Sequence, residues 1–243
     1  MFALIAEIDF RGKMGRYTRK MDLSELKQHH LRTTLGISNE KFPRILTFVD
    51  FGNVNYWFKN DDKDEEGNPL LADKRLTVDL QKMADFLSLF SQDKRFYYGH
   101  DPANPGSMAF ITAAKHVFGK SRVFTKPIQK IRHHLNPGEV ATNTRTVSRD
   151  FEGDYIEIPK CNFDVEISVD AIRLADRYDT ICLLSSDADF VSLLRYLKGK
   201  RKKTILIKGG RIASSLGAVV DLKVNAQDIK KYIAVQKQKP GSY

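Results

Sequence analysis

The chain has 243 residues, 42% of them hydrophobic, and its 40 basic and 30 acidic residues leave a net charge of +10. That length suits one α/β domain with additions, and the apolar share supports a buried core rather than a disordered chain. The charge excludes an acidic solvating protein and points to an anionic partner, nucleic acid first.

No apolar run approaches the roughly 18 residues of a membrane helix, so no membrane association is expected. Met1 to Ile8 is apolar but lacks a basic start and contains Glu7, unlike a secretory signal. The expected location is cytoplasmic. Cys161 and Cys182 are the only cysteines, and Cys182 lies in an apolar run where a small core residue fits. No Cys or His spacing of the zinc type occurs.

Residues 1–41 form an N-terminal extension. Phe2–Phe10 fits a strand, Gly12–Gly15 a turn, and Asp22–Arg32 a helix with Leu23, Leu26, His30 and Leu31 on one face. The main domain spans 42–235 and alternates strand and helix. Ile45–Asp50 is a strand, Asp61–Gly67 an acidic loop, and Leu80–Phe90 a helix. Arg95–Gly99 is the next strand, Ser107–Phe118 a helix capped by Ser107, and Arg122–Lys126 a strand. Residues 132–157 are polar and turn-rich, an insertion. A helix at Asp164–Tyr178, a strand at Thr180–Leu184, a helix after Asp187 and a strand at Thr204–Ile207 continue the alternation. A helix over 226–235 and a flexible tail at 236–243 end it. Such alternation implies a parallel sheet with helices on both faces.

Parallel strands put all their carboxyl ends on one rim, where open α/β sheets bind ligands. Asp50, His100, Lys126, Ser185, Ser186, Asp187 and Lys208 share that rim. Asp164 opens the helix before the Thr180 strand and joins it, as does Asp189. Four carboxylates gathered this way repel one another, and Mg²⁺ or Mn²⁺ relieves the repulsion. Such an ion can activate a water and neutralise charge on a phosphate. Capping is the rival reading, since Ser186 and Asp187 suit a helix start and Asp164 does too. Asp50 resists it, because Phe51-Gly-Asn follows rather than a helix signal. Asp170 ranks second as a ligand: it lies about 9 Å further along the helix than Asp164 and is turned by roughly 240°.

Three motifs resemble the NYN family, the LabA-like branch of PIN-like metal-dependent ribonucleases. Phe48-Val-Asp-Phe-Gly-Asn53 is similar to the family's first strand. Phe163-Asp-Val-Glu-Ile-Ser-Val-Asp-Ala171 is similar to its helix motif with two aspartates. Leu184-Ser-Ser-Asp-Ala-Asp-Phe190 resembles its Ser-x-Asp-x-Asp-Phe turn. The resemblance, over about 44–233, implies a Rossmann-like three-layer α/β/α sandwich and Mg²⁺- or Mn²⁺-dependent endonucleolytic hydrolysis of RNA. It implies Asp50, Asp164, Asp187 and Asp189 as metal-binding and catalytic acids, Asn53 as a support for the site or a phosphate contact, and Asp170 as the further helix aspartate. Residues 1–41 and 132–157 fall outside the family core, where substrate choice or a homo-oligomeric state would be set.

For the substrate, single-stranded or structured RNA, Lys208 and Arg211 flank Gly209-Gly210 on the rim, and Lys126 extends the basic surface. Ser185 and Ser186 are further candidate contacts. Lys198–Lys203 precedes its strand and belongs on the opposite edge. Tyr56, Trp57 and Phe58 suit either base stacking or packing of a loop. Two other functions compete: a regulatory module that binds nucleic acid or protein without cutting, and a metal-dependent phosphatase acting on nucleotides.

Overall fold

The computed structural model describes residues 22–136 and 146–239. The expected strand at Phe2–Phe10 and turn at Gly12–Gly15 lie outside them. The elements run α1 (Leu23–Thr34), β1 (Ile45–Asp50), α2 (Phe51–Val54), β2 (Lys74–Val78), α3 (Leu80–Ser88), β3 (Asp93–His100), α4 (Pro105–Phe118) and β4 (Val123–Pro127). There follow β5 (Gln129–His134), β6 (Val147–Asp150), β7 (Gly153–Lys160), α5 (Asp164–Arg173), β8 (Thr180–Leu184) and α6 (Val191–Gly199). The last five are β9 (Lys203–Lys208), α7 (Ser214–Ala218), β10 (Leu222–Asn225), α8 (Ala226–Ile233) and β11 (Ala234–Gln238).

Six strands form one parallel sheet in the order β10-β9-β8-β1-β3-β4. β1 and β8 are buried along their apolar lengths, as strands covered on both faces must be. Successive side chains leave a strand on opposite faces. Ile45 and Val49 therefore enter one core with Phe51, Met83, Phe96 and Ile229, while Leu46 and Phe48 enter another with Tyr97, Ile167, Leu183 and Leu194. Helices α3, α4 and α8 cover the first face and α5 and α6 the second, so the molecule is a three-layer α/β/α sandwich. The described part of the N-terminal extension adds Leu31, Leu35 and Ile37 to the first core. Arg32 fastens it by donating to the carbonyls of Ile37, Phe42 and Phe90.

Several local expectations change. Asn104, not Ser107, caps α4: its Oδ1 accepts from the amides of Gly106 and Ser107, with Pro105 in the first turn. The expected helix to Tyr178 ends at Arg173 and continues as a short 3₁₀ turn. Most of the described part of the 132–157 insertion belongs to a three-stranded antiparallel sheet, β5-β7-β6, that begins at Gln129 and ends at Lys160. Residues 236–238 of the expected flexible tail are strand, because Ala234–Gln238 pairs antiparallel with β2. Both strands of that ribbon were missed, since Lys74-Arg-Leu-Thr-Val78 and Ala234-Val-Gln-Lys-Gln238 have too few apolar residues to announce themselves.

Candidate metal centre

Strand order reverses at β1: β3 and β4 lie to one side, β8, β9 and β10 to the other. The carboxyl ends of β1 and β8 flank the crevice that such a reversal opens, the place where this architecture binds ligands. Asp50 ends β1, and the turn Ser185-Ser-Asp-Ala-Asp189 leaves β8 directly beside it.

That turn is held from three sides. The Ser185 hydroxyl donates to Asp50 Oδ2 at 2.9 Å, and the Asp187 amide donates back to Ser185 Oγ at 3.2 Å. Asn53 Oδ1 accepts from the Ser186 amide and from the Trp57 indole, each at 3.1 Å. Ser186 Oγ donates to the Gly209 carbonyl at 2.8 Å and accepts from its amide at 3.0 Å. Position 209 requires glycine, because a Cβ there would come within 2.3 Å of the Trp57 ring. Three strand exits are thereby locked into one register.

Asp164, Asp187 and Asp189 each place a carboxylate oxygen within 4.8 Å of the others. Asp187 also accepts from the Asp189 amide at 3.0 Å, so it caps its 3₁₀ turn and faces the cluster at once. Asp164 does not cap its helix. Phe163 holds the cap position without a side-chain bond, and Asn162 before it accepts from the Asp164 amide at 2.7 Å while its own amide grips Asp164 Oδ2 at 2.5 Å. Among the described residues no Lys or Arg forms a salt bridge with these carboxylates or with Asp50.

Burial pushes the Asp50 carboxyl up to about 6; hydrogen bonds from Ser185 and the Asn53 amide oppose this, and the charges of Asp164 and Asp187 add to it. Burial likewise raises Asp164, the Asn162 bond opposes it, and Asp187, Asp189 and Glu166 raise it further. Asp164 and Asp187 are half-buried and Asp189 is exposed; carboxylates set this close repel one another, and a hard divalent ion would relieve that repulsion. Carboxylate oxygens are also the donors that Mg²⁺ and Mn²⁺ prefer, so the residues present fit such an ion.

Asp170 is a correction. Its side chain is buried on the far flank of α5, where Oδ2 accepts from Tyr97 at 2.6 Å and Arg95 at 2.9 Å and Oδ1 accepts from Arg173 at 2.5 Å. Both oxygens are committed to the core, as the turn of the helix away from Asp164 requires. Ser185 is a second correction: it is fully buried and ties Asp50 to the turn rather than meeting a substrate. Ser186 is spent on Gly209 and Asn53 on the turn.

Among the basic candidates, Lys126 bonds Glu166 at 2.5 Å and covers the Phe163 ring. Lys208 bonds the Gly210 carbonyl, and Arg211 is exposed beside it. The aromatic trio separates: Phe58 is in the core, Trp57 packs on Gly209, and Tyr56 is exposed. Two residues of the site escaped the sequence reading. Asn162 was visible as an Asn-x-Asp turn signal. Gly209 stands in the sequence only as a glycine between Lys208 and Arg211, and the fold alone sets Trp57 against it.

A parallel three-layer sandwich with clustered carboxylates at its switch point is the design of the PIN-like proteins. The chain belongs to the NYN domain family, whose model matches residues 44–224 and which is related to PIN-like nucleases. It is 32% identical over 75 residues to the low amplitude and bright protein LabA of Synechococcus elongatus, a match spanning 30% of this chain and 40% of that protein. A crystal structure of a protein of unknown function from Vibrio parahaemolyticus shares the fold, with a TM-score of 0.51 at 18% identity, over 81% of this chain and 99% of that one. No described helix is long and apolar enough to cross a membrane.

Proposed function

We propose that the chain is a cytoplasmic metal-dependent endoribonuclease that hydrolyses RNA phosphodiester bonds. The observation that carries this reading is the set of three mutually adjacent carboxylates, without a cationic partner among the described residues, with the largely buried Asp50 alongside. Family membership supports it, as does a net charge of +10 suited to a polyanion.

Asp164, Asp187 and Asp189 would hold Mg²⁺ or Mn²⁺, with Asp50 as the buried fourth acid. The ion would supply charge neutralisation at the phosphate and an activated water. The protein's own residues set the geometry. Ser185 orients Asp50, Asn162 orients Asp164, and Asn53 with Trp57 holds the amide of Ser186 so that Asp187 projects into the crevice. Exposed Arg211 and half-exposed Lys208, beside Gly209 and Gly210, would contact the RNA backbone, and Lys126, while paired with Glu166, would extend that surface.

The test is cleavage of a labelled RNA pool in Mn²⁺ or Mg²⁺, with the Asp50→Asn/Asp187→Asn protein prepared in parallel. Activity in the parent that disappears in EDTA and in the variant is the expected result. RNA binding without turnover in any metal would overturn the reading and leave a non-cutting regulatory module. Turnover confined to small phosphate esters would indicate a phosphatase.

A further inference from the structure

Helix α5 presents an apolar stripe to solvent that the site does not use. Val165, Val169 and Ile172, at i, i+4 and i+7, are 72%, 53% and 43% exposed, while Ile167, Asp170 and Ala171 on the opposite side are buried. Scattered exposed apolar residues are ordinary, but three aligned on one helix form a face that association would cover.

The charges beside the stripe specify what covers it. Glu166 and Arg173 are seven residues apart, two helical turns, and so lie on the same flank. Their side chains are 44% and 66% exposed. The midpoint of this pair falls between Val169 and Asp170 and that of the stripe between Ser168 and Val169, so the two centres lie within about 1.5 Å of helix rise on either side of Val169. A second α5 laid antiparallel across Val169, about a two-fold axis, sets Glu166 opposite Arg173 of the second copy and Arg173 opposite its Glu166. Val165 then meets Ile172 of that copy, and Val169 meets itself at the axis. Contacts with Lys126 and Asp170, both at 2.5 Å, hold Glu166 and Arg173 in place before association, which lowers the ordering cost.

We propose that the exposed face of α5 is a self-complementary interface through which two copies of this chain form a two-fold dimer. The interface is isologous, the commonest form among homo-oligomers. A single ten-residue helix buries less than the roughly 1,200 Å² of a standard interface, so the dimer is concentration-dependent, with a dissociation constant on the order of micromolar. This inference is independent of whether the carboxylate site cuts RNA.

Sedimentation velocity of the full chain over a concentration series, alongside Val169→Glu, Val169→Lys and their equimolar mixture, tests it. The wild type should dimerise. Each variant should be monomeric with an unchanged melting curve, its dissociation constant raised more than about 100-fold by like charges meeting at the axis. The mixture should restore the dimer, because opposite charges then face one another. If Glu at position 169 prevents folding, Ile172→Gln reads the same interface. A wild type that stays monomeric to roughly 1 mM, or a Val169→Glu protein that dimerises as well as the wild type, overturns the proposal.

Discussion

Asp50 is held by two opposed influences, burial that disfavours its charge and hydrogen bonds that favour it, and burial prevails. A carboxyl raised to about 6 in the fold, against an ordinary value near 3.8, binds its proton more tightly folded than unfolded. Its contribution to stability is therefore full below about pH 4 and is lost as pH rises through about 6. In EDTA, Asp50→Asn should melt above the wild type at pH 7.5, by up to roughly 3 kcal/mol, and the difference should vanish near pH 4. Mn²⁺ should raise the melting temperature of the wild type and not of the variant. Asp187→Asn should abolish cleavage while leaving the melting temperature unchanged or higher, and a folding defect there would return Asp187 to a capping role alone. Trp57 is the chain's single tryptophan and lies against the turn that carries Asp187, so Mn²⁺ should quench its fluorescence. Gly209→Ala forces the indole away, and the same titration should show Mn²⁺ affinity falling about 10- to 100-fold.

At the scale of the element, α5 divides its work by face. Its first residue, Asp164, points into the carboxylate group, and Asp170 points into the core between Arg95, Tyr97 and Arg173. Removing Asp170 leaves Arg95, 14% exposed, without its counter-charge. Asp170→Ala should cost about 3–5 kcal/mol by denaturant melts, whereas Asp164→Asn should cost little stability and most of the activity. The sequence placed both aspartates on one helix, and helical geometry already set them about 240° apart. What it could not show was which face met the core. That depended on Arg95 and Tyr97, 75 and 73 residues earlier in the chain. The antiparallel ribbon of β2 and β11 was illegible for a related reason: its pairing joins residues more than 150 positions apart, and its few apolar residues gave no period of their own.

For the molecule as a whole, the net charge of +10 is distributed so that Arg211 and Lys208 stand on the rim that carries the carboxylates, while Lys198–Lys203 lies at the other edge of the sheet. RNA affinity should fall as salt rises, with each phosphate contact contributing about 0.7 to the logarithmic slope for a single strand. Arg211→Ala should flatten that slope in a binding titration across salt concentrations. The same change at Arg201, on the distal edge, should leave it unaltered.

The sequence by itself determined the alternation of strand and helix, and hence the parallel sheet with every strand's carboxyl end on one rim. From that geometry alone it brought Asp50, Asp164, Asp187 and Asp189 to one place, because strand direction dictates where each segment must exit. Only the tertiary structure decided the contacts within that rim. It made Ser185 a buried tie rather than a substrate contact, set Trp57 on Gly209, gave Asn162 to Asp164 and turned Asp170 into the core. The physical reason is the range of the forces. Periodicity and strand polarity are local properties of the chain, whereas hydrogen-bond partners and burial come from residues that meet only after the layers have packed.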